Sequence, residues 1–522
     1  VIFLEPKHNA LIYDGIPFER VSQAVPAAVR LHNGYVAIPN SLGNLQAMAR
    51  HGLPAVAPMD QGYDWPGKFK PFEAQRVTAS FLVLNPRGFC LSDMGTGKTM
   101  AALWAADYLM ALAPGKRALI VAPLSTLRRV WGDAIWRQFI GRRKAVVLHG
   151  SAEKRLKLLN EDVDFYIINF EGLGVGASIK RGAVRLGGLS KAIAEREDIN
   201  IVMVDEASAY RDANTRRHRV ARQVIGHKDY LWQMTGTPTS NGPMDAYGLA
   251  KLAGSTTESE RSYRSRVMLQ VSNFKWVPKA GSMEEARKLM SPAVRFSIDE
   301  CVDLPPCTVQ QRECELTKEQ AALYMQLKKE ATIMIRDRQV TAMNEGVLRL
   351  KLLQIVMGAV YDEHHNASEV DASPRIALLK EVIAESAGKV IVFAPLTSVV
   401  NLLNLHISGS REVINGTVSD AKRSEIFRCF QETASPHVLI ADPSTMAHGL
   451  TLTSATTVVW YGPTDRTELY LQANKRIHRP GQTRSTTIVQ IVSTPIEAEI
   501  FRRLESNETL QGVILALAKG ER

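Results

Sequence analysis

No apolar run in this 522-residue chain approaches the ~18 residues a membrane span needs, and no basic segment followed by an apolar signal core opens it. Those two absences exclude a helical membrane protein and predict a cytoplasmic protein, or a nuclear one where the source has a nucleus. Cysteine is scarce: there are five, an odd number with no CxxC pair. A disulfide framework has nothing to rest on, so Cys90, Cys301, Cys307, Cys314 and Cys429 read as free thiols in a reducing compartment. The spacing of Cys301, Cys307 and Cys314 does not favour a zinc site. No internal repeat is visible, and a start at Val1 in place of Met points to processing or trimming.

What is present is ordinary for a globular protein, with 45% apolar and 22% charged residues over a length that suggests about three to four domains. The net charge of +11 favours a polyanionic partner, because lysine and arginine displace counterions from a phosphate backbone. Charge alone does not separate such a partner from a solvated basic surface.

Residues 1–66 mix short apolar alternations with Pro and Gly and read as a small α+β accessory module, with a strand and a helix in Tyr35 to Leu53 that Ser41 or Asn40 can cap. From residue 67 to 252, apolar runs alternate with helical stretches: Phe89 to Leu91, Ala118 to Ala122, Ala145 to Leu148, Phe165 to Asn169 and Ile201 to Val204. That pattern predicts a parallel sheet covered on both faces. Residues 253–370 are charged, helix-prone and interrupted by Pro292, Pro305 and Pro306, which predicts a helical linker or protrusion. Alternation resumes in 371–494 as a second parallel sheet, and 495–522 reads as a helical brace with Ile496, Ile500, Leu504, Leu510, Ile514 and Leu517 at helical spacing.

The chemistry concentrates in a few stretches. SDMGTGKT, Ser92 to Thr99, follows an apolar run and precedes a helix, as a Walker A loop does. Backbone amides from Gly95, Thr96 and Gly97 onward would cradle the phosphates of ATP, Lys98 would neutralise them, and Thr99 would ligate Mg2+. Asp205 and Glu206 end an apolar run, at the carboxyl edge of a sheet, where Asp205 would hold magnesium and Glu206 would polarise the attacking water. Far downstream, QANKRIHRPGQ sets Arg476 and Arg479 on one helical face behind Gln472, a spacing suited to gripping phosphates. Arg479 is the preferred arginine finger, with Arg476 on the γ-phosphate.

Together with DEAS at Asp205 to Ser208 and TGTP at Thr235 to Pro238, these stretches make the chain resemble a Swi/Snf-family ATPase of helicase superfamily two over roughly residues 67–510. The resemblance implies an α/β fold of two RecA-like lobes sharing one ATP site, joined by the helical linker. It also makes Gln75, 23 residues before Lys98, the adenine-reading glutamine, whose amide offers both a donor and an acceptor. Two positions depart from the pattern: Ser92 stands for the usual first glycine, a change the superfamily often tolerates, and Ser208 stands for a usual histidine, which alone leaves coupling between ATP and DNA in doubt.

By the same resemblance, nucleic acid would be held by loops at one edge of each sheet. In the first these are Pro123, Ser125 and Thr126, then Gly150 and Ser151, then Phe170; in the second, Gly416, Thr417, Ser444, Thr445 and Gly449. Such loops grip phosphates and do not read bases, so the expected partner is double-stranded or branched DNA of any sequence. The segment His448 to Pro463 looks closest to the annealing-helicase branch, and residues 1–66 are a candidate surface for a protein partner. The expected activity is that of a monomeric, DNA-stimulated ATPase that translocates on duplex DNA and remodels forks or protein–DNA complexes, from a prokaryotic or viral source. The alternatives are a strand-separating helicase, with Trp276 as its wedge, and a scaffold that does not hydrolyse ATP.

Overall fold

The computed structural model describes residues 2–32, 34–240, 242–272, 275–301, 303–336, 342–361, 367–446 and 451–506. It divides into two compact units, Val1–Val302 and Asp303–Arg522. The division falls inside the 253–370 segment, and strands on either side of it join the two main sheets.

The first unit opens with an antiparallel sheet of the strands Ile2–Glu5, Ala10–Tyr13, Val36–Pro39 and Val29–Arg30, in that spatial order. Of the two capping residues considered, Ser41 caps the helix Leu42–Arg50, its hydroxyl accepting from the Asn44 N–H. The inward side chains Leu11, Tyr13, Val36 and Ile38 are fully buried in the same apolar cluster as Leu82 of the helix Glu73–Leu84 and Ala101 and Trp104 of the helix Lys98–Leu112. This module therefore has no core of its own and braces one face of the sheet that follows. Buried Asp107 fastens the joint, accepting from Tyr63 Oη at 2.7 Å and Arg143 Nε at 2.6 Å.

Seven strands form that sheet, ordered Ala293–Val294, Phe89–Cys90, Tyr230–Met234, Ile199–Asp205, Arg117–Ala122, Phe165–Asn169 and Ala145–Val147, and all neighbours are parallel. Two apolar clusters cover its two faces. All seven strands consequently end at one edge, the place where open α/β sheets bind ligands. A hairpin of Met268–Ser272 and Lys275–Pro278 follows.

The second unit holds six parallel strands ordered Cys307–Glu313, Thr486–Val492, Ala455–Trp460, Lys389–Phe393, Val438–Ala441 and Arg411–Ile414. Its core is knit by a buried ion pair, Arg375 Nη2 to Glu497 Oε1 at 2.5 Å, with Arg375 also donating to the Ile491 carbonyl at 3.0 Å. Ile496, Ile500 and Leu504 of the helix Pro495–Glu505 are buried, whereas Leu510, Ile514 and Leu517 lie outside the described residues.

Candidate active site

The strand Phe89–Cys90 runs into the glycine-rich loop, and the helix Lys98–Leu112 starts at its lysine. Gly95 and Gly97 take φ of 88° and 77°, in the left-handed region that side chains disfavour. At Gly97 a Cβ would also overlap the Gln75 amide. Lys98 Nζ donates to the carbonyls of Ser92 and Asp93, 2.8 Å each, and Thr96 Oγ1 closes the loop on the Asp93 carbonyl at 2.8 Å. No side chain caps the helix, so its first N–H groups face the loop with their partial positive charge available to an anion.

Gln75 is seated against this loop. Its Oε1 accepts from the Phe72 N–H at 3.2 Å and its Nε2 donates to the Gly97 carbonyl at 3.4 Å. The unusual Ser92 has a structural use: its hydroxyl accepts from the Phe296 N–H at 3.0 Å, pinning the loop to the segment after the strand Ala293–Val294.

Two strands over, Asp205 ends Ile199–Asp205, and Glu206 follows at φ 50°, ψ 52°, a left-handed conformation that is rare for a residue with a side chain. Asp205 Oδ2 accepts from Trp131 Nε1 at 3.0 Å and Oδ1 from the Glu206 N–H at 3.1 Å. Burial raises the carboxyl's pKa, opposed by the Trp131 hydrogen bond, nearby Lys98 and the Glu206 amide. Lone pairs remain on both oxygens, and these and the Thr99 hydroxyl are hard oxygen ligands of the kind that would suit Mg2+ beside substrate phosphates. Ser208 is buried in the short 3-10 turn Ala207–Tyr210. Between these strands, Tyr230–Met234 delivers the TGTP turn, where a Cβ on Gly236 would lie 3.3 Å from Met94 Cγ and 3.6 Å from the Ser92 carbonyl. One sheet edge thus brings together Gln75, the Walker A loop, the acidic pair and TGTP.

The candidate nucleic-acid loops of this unit follow its strands at the same edge. Ser125 is exposed, while Pro123 and Thr126 are buried, with Thr126 Oγ1 donating to the Pro123 carbonyl at 2.9 Å. Gly150 and Ser151 are exposed, and Ser151 caps the helix Ala152–Leu159. Phe170 packs inward, edge-on to Tyr210 at 5.4 Å, so its side chain is a core element and the loop presents Glu171.

In the second unit the helix Thr467–Asn474 stops before the arginines, which corrects the expectation of one shared helical face. Arg476 and Arg479 lie in the turns that lead to Pro480 and Gly481. Gln482 fastens those turns, its Nε2 donating to the carbonyls of Ile477, Thr453 and Ala455 at 3.0, 3.2 and 2.9 Å. Buried Gln472 donates to Glu468 within its helix, Arg476 is buried, and burial lowers the Arg479 pKa. Gly416 and Thr417 are exposed, with the Thr417 N–H and hydroxyl on Asn415 Oδ1. The Ser444 N–H and hydroxyl likewise donate to Asp442 Oδ1, the Thr445 hydroxyl donates to the Asp442 carbonyl, and Gly449 lies outside the described residues.

Two residues carry parts of this arrangement that the sequence does not mark. Trp131 supports Asp205. Arg155, buried, donates to the carbonyls of Leu148 and Gly150 at 2.8 and 2.9 Å and to Asn169 Oδ1 at 3.2 Å, joining two candidate loops. Neither sits in a recognisable motif, since a lone tryptophan in an apolar stretch and an arginine in a charged helix are both commonplace.

Comparisons with known proteins bear on the whole arrangement. Protein p41 of Acyrthosiphon pisum secondary endosymbiont phage 1 is 24% identical over 86% of this chain and 99% of its own. The chicken "DNA repair and recombination protein RAD54-like" is 21% identical over 81% of this chain and 63% of its own length. The Xenopus laevis "SWI/SNF-related matrix-associated actin-dependent regulator of chromatin subfamily A-like protein 1" is 22% identical, over 82% and 42%. The chain thus spans nearly all of the phage protein but under two thirds of the two animal relatives. A solved structure described as "Sulfolobus solfataricus SWI2/SNF2 ATPase core in complex with dsDNA" is 20% identical, covers 88% of this chain and 95% of its own, and superposes with a TM-score of 0.39. The family model "Helicase conserved C-terminal domain" matches residues 374–481, and "SNF2-related domain" matches residues 73–359, more than half of the chain. The protein belongs to the SNF2-related family.

Proposed function

We propose that this protein is an ATP-driven translocase on double-stranded DNA, whose motion remodels forks, branched DNA or protein–DNA complexes. The observation that carries the reading is the shared edge of the first sheet, from which both the Walker A and acidic residues and the exposed phosphate-gripping loops emerge. Both sets of loops are thus anchored on the same hydrogen-bonded strands. The net charge of +11 suits a polyphosphate track, and the RAD54-like relative is described as a DNA repair and recombination protein.

In this mechanism the loop amides and Lys98 hold the phosphates of ATP, and Gln75 positions the base or the loop beneath it. Glu206 orients and deprotonates the attacking water. By the family resemblance, Arg479 would stabilise charge developing on the transferring phosphate, a task in which Arg476 and Gln472 would share. Thr99 and Asp205 would hold magnesium, which when bound would neutralise charge on the phosphate oxygens. Loops such as Ser125, Gly150, Ser151, Gly416, Thr417 and Ser444 grip the DNA backbone and leave bases unread, which makes tracking independent of sequence.

Strand separation is the second reading, favoured by the hairpin Met268–Ser272/Lys275–Pro278, where Leu269, Val271 and Trp276 are exposed. The discriminating experiment is steady-state ATP hydrolysis at fixed low salt with no polymer, single-stranded DNA, blunt duplex, a model fork or duplex RNA. The proposal expects strong stimulation by blunt duplex, and a fork excess would favour the annealing-type branch. Stimulation by single strands alone would promote the strand-separating reading, and indifference to every polymer would defeat both.

A further inference from the structure

We infer that Trp131 is a positioning residue that couples the DNA-gripping loop at Pro123 to Thr126 to the metal-binding carboxylate of Asp205. The inference rests on the translocase reading above and assigns a path by which duplex and nucleotide sense each other.

Three observations converge. The indole N–H of Trp131, fully buried, donates to Asp205 Oδ2 at 3.0 Å, so the one polar group of a large immobile side chain fixes one carboxylate oxygen. The same chain segment carries the candidate DNA loop. From Pro123 it runs without a break through the 3-10 turn Leu124–Thr126 and the π-helical turn Leu127–Gly132 into the helix Asp133–Phe139. Wide π turns hold an extra residue in a strained ladder and occur most often at functional sites. The outer end of this rod is presented to solvent, with Leu124 and Ser125 exposed, and Thr126 is locked to it by two hydrogen bonds to the Pro123 carbonyl. A displacement at Ser125 has little slack to dissipate into before it reaches the indole. The carboxylate it would move is also the one that lies within electrostatic reach of Lys98.

A tryptophan that merely satisfies its N–H on the nearest acceptor would leave metal and DNA dependence untouched, and that separates the two roles. The experiment is calorimetric binding of ADP to the full chain and to Trp131→Phe, with Mg2+ or with EDTA, each with and without a saturating blunt duplex. Phe keeps the ring packing and removes the donor. The wild type is expected to bind Mg–ADP with an affinity that duplex changes by about 5-fold or more, the usual range of coupling between sites. In Trp131→Phe that factor is expected to collapse towards one, and the Mg2+-dependent gain in ADP affinity to shrink. ADP affinity in EDTA and duplex affinity without nucleotide are expected to stay within about twofold of wild type, since neither uses the Trp131–Asp205 bond. Wild-type coupling surviving in Trp131→Phe would overturn the inference alone. Absence of coupling in the wild type, with hydrolysis indifferent to DNA, would overturn the translocase reading and the inference with it. If Trp131→Phe does not fold, hydrogen exchange on the unaltered protein decides: Mg–ADP, compared with ADP in EDTA, is expected to slow exchange across residues 123–132, and an unchanged segment overturns the inference.

Discussion

Glu206 is held at φ 50° at the end of the strand Ile199–Asp205, a conformation that costs on the order of 1–3 kcal/mol for a residue with a Cβ. Such strain persists where the surroundings dictate it, and here the adjoining amide is fixed on Asp205 Oδ1. Replacing the carboxylate by an amide, Glu206→Gln, retains size and backbone while removing the base. We expect turnover to fall by at least ~10²-fold with nucleotide and duplex binding preserved, read by phosphate release beside a fluorescent-nucleotide titration. Loss of nucleotide binding in that variant would mean the side chain holds the loop and does no proton chemistry. At this scale the sequence was legible where the motif is contiguous: Ser92 to Thr99 lies, as its spacing implies, in a glycine-rich loop between a strand and a helix. The support of Asp205 by Trp131 was not, because the partners stand 74 residues apart and only the sheet brings them together. Arg476 and Arg479 were misplaced for a local reason. The helical periodicity of the preceding residues was extended past Asn474, although Pro480 and Gly481 follow closely and favour turns.

Among elements, Phe165–Asn169 was readable residue for residue, being a short apolar run buried on both sheet faces. The strand Cys307–Glu313 was not, because it lies at the edge of its sheet, where most of its side chains are exposed and polar. Arg155 stands between elements, tying the segments at Gly150 and Asn169 with a guanidinium fork that lysine cannot reproduce. Arg155→Lys is expected to weaken duplex binding by about 10-fold or more with little change in DNA-free hydrolysis, measured by fluorescence anisotropy, since each lost charged hydrogen bond is worth about 1.5–3 kcal/mol of loop order. Unchanged affinity would remove the loops it joins from the DNA surface. The helix Pro495–Glu505 supplies a pH prediction. Hydrogen bonds from Arg502 and Arg503 bring the Glu499 pKa down to about 2. A carboxylate depressed on folding adds stability above its unfolded pKa and loses it as pH falls through the folded value, so this contribution fades as pH drops below ~4.5. Because the cluster is partly solvated, the effect should be about 1 kcal/mol. Glu499→Gln should lower the melting temperature at neutral pH, by a deficit that shrinks as pH falls below ~4.5 and closes only below about 2, and a deficit independent of pH would refute the ion-pair origin.

For the whole molecule, the two parallel sheets and the motif order across them place the chain in a family of ATP-using machines, and a net charge of +11 matches a polyanion track. The charge also predicts that duplex binding weakens steeply as salt rises, because each neutralised phosphate releases a counterion. Movement along duplex DNA is the central claim, and displacement of a labelled third strand from a blunt-ended triplex measures it without requiring the duplex strands to part. Release of the third strand that requires ATP and magnesium, is abolished in Glu206→Gln, and leaves the underlying duplex intact is what the account predicts. ATP hydrolysis stimulated by the same DNA with the third strand left in place would contradict it.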